Sequence, residues 1–209
     1  MSNRRIVEES AEVLARMPTG DVLRRLIRPV VRLLAEGQPV TIGVVATAAE
    51  LRPEEVHEAL GGFPDVEWDD RDRVAGLGLS LRRTDHQVTI AGRTLYTWCA
   101  FDTLLMAVLL ERPVRISSPD FGSTNTVEVD ADGQRVMRVE PPSAVISMVG
   151  IDADVARVEG IRTASCVNGH FFGSAEAAAG WLADHPGGRI VSVAEAYEAA
   201  ERMASEFFA

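Results

Sequence analysis

Apolar Val22, Leu23, Leu26, Ile27, Val30, Leu33 and Leu34 recur every three or four positions, which predicts an amphipathic helix across DVLRRLIRPVVRLLAEG. Asp21 is its expected N-cap and Gly37 its stop. A preceding helix is expected in VEESAEVLARM and a third in TIGVVATAAE; a fourth starts at Pro53, where Pro-Glu-Glu makes a good first turn. After Gly61-Gly62 come short strands around Val66–Trp68 and Gly76–Leu81, joined by the polar turn Asp69-Asp70-Arg71-Asp72. Helices closed by a two-stranded wing give the outline of a winged helix.

From about residue 82 the pattern changes. A strand is expected over His86–Ile90, a turn at Ala91-Gly92-Arg93, and then a strongly apolar helix through LYTWCAFDTLLMAVLLE, with Pro113 close behind its end. Strands VRISS and AVISMVG bracket a hairpin in TVEVDADGQRVMRVE, turning at Asp132-Gly133. A loop carrying Cys166, a strand near His170–Phe172, a helix Ala175–Ala183, a strand RIVSV and a last helix Ala194–Phe207 complete the chain. Strands and helices do not alternate regularly, so the expected class is α+β with a mixed or antiparallel sheet. The expected division is a winged-helix-like domain over residues 1–81 and a catalytic domain over 82–209.

Composition narrows the function. With 209 residues, 46% hydrophobic and 25% charged, the chain has the make-up of an ordinary soluble globular protein. It contains no apolar run long enough to span a membrane, and the polar start MSNRRIVEES lacks the core of a secretory signal, so a cytoplasmic location is expected. The net charge of −10 argues against nucleic-acid binding, which needs a basic footprint. Arg24, Arg25, Arg28 and Arg32 do gather on one helical face, but residues 1–80 hold 10 Arg against 14 Asp and Glu. A solvated arginine face on an acidic domain is the favoured reading.

The chemistry is expected at three residues. Cys99 and Asp102 stand three apart on a predicted helix and project from one face, among Trp98, Phe101, Leu104, Leu105 and Val108. Burial there raises a carboxyl pKa and suits Asp102 to hold and pass a proton, while the nearby helix N-terminus favours a Cys99 thiolate. Cys166 follows 67 positions later, and spacing alone does not say whether it meets Cys99. If it does, two thiolates beside a carboxyl suit a soft, thiophilic metal. Each Cys also reads as a small buried hydrophobe. His170, at Cys-x3-His from Cys166, is a candidate zinc ligand, or a base for Cys99 as a hydrolytic nucleophile, although no oxyanion loop is recognisable.

LYTWCAFDTLL, then SCVNGHFF, then RIVSVAEAYEAA resemble the alkylmercury lyase (organomercurial lyase) family. The resemblance extends to LLAEGQPVTIGVVA and to GLGLSLRRTDHQVTI ahead of the Cys99 helix. It implies a winged-helix-like N-terminal part that does not bind DNA, packed on an α+β catalytic part. It also implies protonolysis of an organomercurial to a hydrocarbon and Hg(II). Members often carry a further Cys in the loop after a strand like VRISS; here that region reads SSPDFG.

Carried onto this chain, the resemblance implies that Cys99 and Cys166 take mercury and that Asp102 moves a thiol proton to the departing carbon. Hg(II), the product, then rests on the two sulfurs beside Asp102, until small thiols or a mercuric reductase remove it. Trp98 and Phe101 are expected to wall the organic group. No organic cofactor is expected, and turnover is expected to need external thiols. The rival readings are a metal- or mercury-responsive winged-helix regulator and a redox module closing a Cys99–Cys166 disulfide.

Overall fold

The structure is a computed structural model that describes residues 19–208; the helix expected in VEESAEVLARM lies outside them. Three helices open the described chain, α1 (Gly20–Leu34), α2 (Ile42–Ala49) and α3 (Pro53–Gly61). They bury Leu23, Leu26, Val30, Leu34, Val45, Val56 and Leu60 between them. Thr41 caps α2 by accepting the Val44 N–H, and the Glu55 carboxylate takes the backbone N–H of Arg52 at the head of α3. Asp21 sits in the first turn of α1 rather than at its cap, which is Thr19.

The wing does not stand apart. β1 (Glu67–Trp68), β2 (Val74–Leu77) and β3 (Leu79–Ser80) run straight into the main sheet. That sheet also holds β4 (His86–Ile90), β5 (Arg93–Thr97), β6 (Val114–Pro119), β7 (Thr126–Ala131) and β8 (Val136–Glu140). Its order is β1-β2-β3-β5-β4-β6-β7-β8, with every neighbouring pair antiparallel. Alternation sets its inner face: Val88 and Ile90, Val114 and Ile116, and Val127 and Val129 are buried while their neighbours are less so. A second antiparallel sheet, β10-β9-β11, is built from β9 (Val145–Met148), β10 (Phe171–Phe172) and β11 (Arg189–Ser192).

Against these sheets lie α4 (Ala100–Leu110) and α8 (Val193–Phe207), which pack on each other, with α1 on the far side of α4. Shorter helices α5 (Ala153–Glu159) and α6 (Ile161–Ala164) lead to a single 3-10 turn at Cys166–Asn168, and α7 (Ala179–Asp184) follows. α7 starts four residues later than the helix expected over Ala175–Ala183.

One expectation is corrected where it bears on the chemistry. The helix expected to begin at Leu95 begins at Ala100, and Arg93–Thr97 is a strand. Ala91 (φ 49°) and Gly92 (φ 80°) form a two-residue turn with positive φ at both positions, the geometry that matches strand twist and forces a hairpin. Leu95, Tyr96 and Thr97 are good strand formers and pair with Val88, Gln87 and His86. The long apolar run is therefore half strand and half helix, with Cys99 at the junction.

Candidate active site

Cys99 is the N-cap of α4, in extended backbone (φ −149°, ψ 174°), and Asp102 is the third residue of the helix. These are the positions of a capping box, with Cys in place of Ser or Thr and Asp in place of Glu, although the Cys99 side chain makes no capping hydrogen bond. The residue after the cap is held by another segment: the Ala100 N–H donates to the Gly169 carbonyl at 3.0 Å. Thr97 Oγ1 donates to the Cys99 carbonyl at 3.0 Å and fixes the strand side of the junction. Gly169 in turn closes the Cys166 turn, its N–H donating to the Cys166 carbonyl. Ser147 secures the same turn from β9 by donating to the Asn168 carbonyl at 2.8 Å.

These ties answer the question that spacing left open. The sulfurs of Cys99 and Cys166 and a carboxylate oxygen of Asp102 all lie within 4.8 Å of one another. Both cysteines are free thiols, and the Cys166 thiol donates to Asp102 Oδ2 across 3.7 Å. Among the described residues no other group of three His, Cys, Asp or Glu side chains is placed to share a metal ion.

Enclosure disfavours charge on all three groups. Burial pushes the Asp102 carboxyl up to about 6, against the pull of hydrogen bonds from Cys99 and Cys166. Hydrogen bonding to Cys99, burial and the Asp102 charge raise the Cys166 thiol well above the ordinary cysteine value. A hydrogen bond from Cys166 draws Cys99 down, but burial and the charge of Asp102 outweigh it, and its pKa too ends above the ordinary value. Without a cation, the cluster keeps its thiol protons.

The cluster faces an apolar cavity of about 130 Å³, and Asp102 keeps some accessible surface because it lines that space. Phe101, Leu105, Met148 and Ile151 contribute walls, and so do Leu23, Ile27 and Phe63 from the N-terminal helical part. No residue pattern in the N-terminal part marked it as a wall of the site. Nor did any pattern mark two buried acids there that grip the cysteine-bearing segments. Asp65, 8% exposed, accepts the N–H groups of Ile161 (2.5 Å) and Arg162 (3.3 Å) at the head of the helix before Cys166. Glu67 accepts the indole N–H of Trp98, beside Cys99, at 2.9 Å, and pairs with Arg162 at 3.5 Å.

The sequence pattern of the family described as alkylmercury lyase matches residues 79–205, and that of the helix-turn-helix domain of alkylmercury lyase matches residues 6–78. The chain belongs to the alkylmercury lyase family. An alkylmercury lyase of Streptomyces lividans is 42% identical over 83% of this chain and 79% of its own length. One from Bacillus cereus is 40% identical over 90% of this chain and 84% of its own. A structure described as the mercury-bound form of MerB2 superposes with a TM-score of 0.78 at 25% identity, covering 99% of this chain and all of the other.

The other candidate residues lie around this cluster. Trp98 and Phe101 both line the apolar cavity, with Trp98 anchored by its indole N–H. His170 does not join the cluster: its ring stacks on Phe121, centroids 4.0 Å apart, in a neighbouring cavity. Three of the four arginines on α1 pair with carboxylates. Arg28 and Arg32 bind Glu111 at the end of α4 (2.7 and 3.2 Å), and Arg24 pairs with Asp21. In the SSPDFG stretch, Ser118 hydrogen-bonds with His86 and Asp120 accepts the Gly173 N–H.

Proposed function

We propose that Cys99, Cys166 and Asp102 cleave the carbon–mercury bond of alkyl or aryl mercurials to a hydrocarbon and Hg(II). The observation that carries this is the convergence of two thiols and one carboxyl within 4.8 Å at the mouth of an apolar cavity. Thiolates select a soft ion, and the apolar walls suit an organic group that a polar site would reject.

Mercury enters as substrate. One sulfur binds it and displaces the ligand it arrived with, which leaves carrying that sulfur's proton. Cys166 already points its S–H at Asp102, so Asp102 takes this second proton as the sulfur closes on mercury. Two sulfur donors load electron density onto the metal, and the bond to carbon weakens. Asp102, a carboxylic acid at this stage, gives the proton to the carbon as the Hg–C electron pair moves onto it. The balance is R–Hg–X plus two thiols giving R–H, HX and mercury bridged by two sulfurs. A carboxyl whose burial lifts it to about 6 takes and returns a proton near neutrality more readily than an ordinary one.

In this reading no organic cofactor takes part, and Hg(II) leaves to external thiols or to a mercuric reductase. The N-terminal part serves as a wall of the cavity and not as a nucleic-acid reader, since Arg28 and Arg32 are committed to Glu111. The cytoplasm supplies the reduced thiols that free Cys99 and Cys166 require, and no helix among the described residues is long and apolar enough to cross a membrane. Incubation with phenylmercury and excess thiol, with assay of benzene, tests the proposal. Stoichiometric benzene is expected; mercury bound without benzene would refute it.

A further inference from the structure

Cys166 lines two cavities. Besides the apolar one, it lines a second cavity of about 490 Å³. Trp98 is shared between them, and the second is otherwise walled by Arg83, Asp85, His86, Phe121, Arg162 and His170. Its rim is exposed: Phe121 and Val167 keep 46% and 56% of their surface. Arg162 is already paired with Glu67 and lies 6.0 Å over the Trp98 ring. Arg83 is exposed, and among the described residues neither its guanidinium nor the Asp85 carboxylate makes a hydrogen bond or ion pair. The two histidines are held neutral, chiefly by burial. Among the described residues, a cation and an anion without a hydrogen bond or ion pair, two residues apart, thus flank a chamber that Cys166 lines.

Mercury held by two thiolates leaves by substitution, so an incoming sulfur has to reach it. The apolar cavity is a poor route for an ionised thiol, because it offers the charge no partner. The second cavity is the polar approach to the same residue. We propose that it binds a small zwitterionic thiol, whose carboxylate meets Arg83 and whose ammonium meets Asp85, and directs its sulfur at mercury on Cys166. This rests on Cys99 and Cys166 being the mercury-holding pair. The first incoming thiolate forms a sulfur–mercury bond as the bond to Cys166 breaks, and Cys166 takes back from solvent the proton that the small thiol gave up on ionising. A second thiol repeats the exchange at Cys99, leaving both protein thiols protonated and mercury on two small-molecule sulfurs. No electrons are exchanged.

The test loads the full chain directly with inorganic Hg(II), so that release is read without any cleavage step, and follows mercury leaving as thiol is raised. Probes are L-cysteine, its methyl ester, 3-mercaptopropionate and 2-mercaptoethanol, compared at equal thiolate concentration. Release is expected to saturate at the lowest concentration with L-cysteine. Arg83→Ala should raise the half-saturating concentration about fivefold for the two carboxylated thiols, the size of one exposed charge-assisted contact, and leave 2-mercaptoethanol unmoved. Asp85→Asn should weaken L-cysteine and its methyl ester but not 3-mercaptopropionate. The benzene burst from phenylmercury, measured separately, should be unchanged in both variants; its absence in the parent protein would count against the cleavage reading alone. Equal, non-saturating release by all four thiols, or an Arg83→Ala effect of the same size on 2-mercaptoethanol, would overturn the proposal.

Discussion

The backbone N–H of Ala100 donates to the carbonyl of Gly169 across 69 positions of chain, and this one bond joins the helix that starts after Cys99 to the turn that carries Cys166. Gly169 fits so closely that a Cβ there would lie 3.0 Å from Cys99 Cβ and 3.2 Å from its sulfur. In Gly169→Ala the Cys99 side chain has to give way by a few tenths of an ångström. Cleavage of phenylmercury is expected to fall at least ~10-fold, since small misplacements of reacting groups are costly. The fold should survive. A variant with parental benzene release would show that the site tolerates the displacement.

Asp102→Asn separates capture from cleavage. The amide keeps nearly the same shape but does not carry a proton from sulfur to carbon. Mercury should still bind to both thiols, while benzene formation falls by the ~10²–10⁴-fold typical of losing a positioned acid or base. In D2O the parent protein should place one deuterium on the hydrocarbon. Parental turnover in a folded Asp102→Asn would make the carboxylate structural.

Cys99→Ser and Cys166→Ser should each remove turnover, because a hydroxyl is neither a soft ligand nor appreciably ionised at neutral pH. Mercury titration should drop from a two-sulfur to a one-sulfur complex in both. Benzene release near the parental rate in either variant would exclude the two-thiolate scheme.

The Asp65 clamp predicts a long-range effect. Truncation in Asp65→Ala leaves the N–H groups of Ile161 and Arg162 without their acceptor. A loss of ~1–3 kcal/mol in unfolding free energy is expected, along with slower cleavage as the Cys166 segment loosens. Denaturant melts read the first and benzene assays the second. Unchanged values in both would mean that the helix before Cys166 needs no such anchor.

His86, in the wall of the second cavity, gives the protein an acid-sensitive element. Burial, helped by His170 and opposed by Asp85, lowers its pKa to about 4. The folded state prefers the neutral ring, so its contribution is complete above the unfolded value near 6.5 and is lost as pH falls towards 4. The loss amounts to roughly 3 kcal/mol at most. Stability measured between pH 7 and pH 4 should therefore decline less steeply in His86→Gln; equal slopes would place the acid sensitivity elsewhere.

Much of the site was legible because its signals are local. Cys99 and Asp102 are three apart, and the helix behind them has patterned residues. The start of α4 was misplaced because Leu95, Tyr96 and Trp98 are as apolar as the helix they precede, and only the Ala91-Gly92 turn distinguishes strand from helix. Their apolar character carries no information about period over so short a run. Asp65 and Glu67 were invisible for another reason. Their partners in the cysteine-bearing segments stand 31 to 97 positions away, and in sequence they look like ordinary acids of a wing.

Leu23, Ile27 and Phe63 close the apolar cavity from a part of the chain that holds none of the three reactive groups. On the proposed chemistry the two thiols, which belong to the later part of the chain, would still take up mercury even if the early helices peeled away. What would vanish is the dry compartment in which a carbon–metal bond can be broken. A partly opened molecule would thus be a sponge for mercury, loaded and inert, and only the closed one a detoxifier.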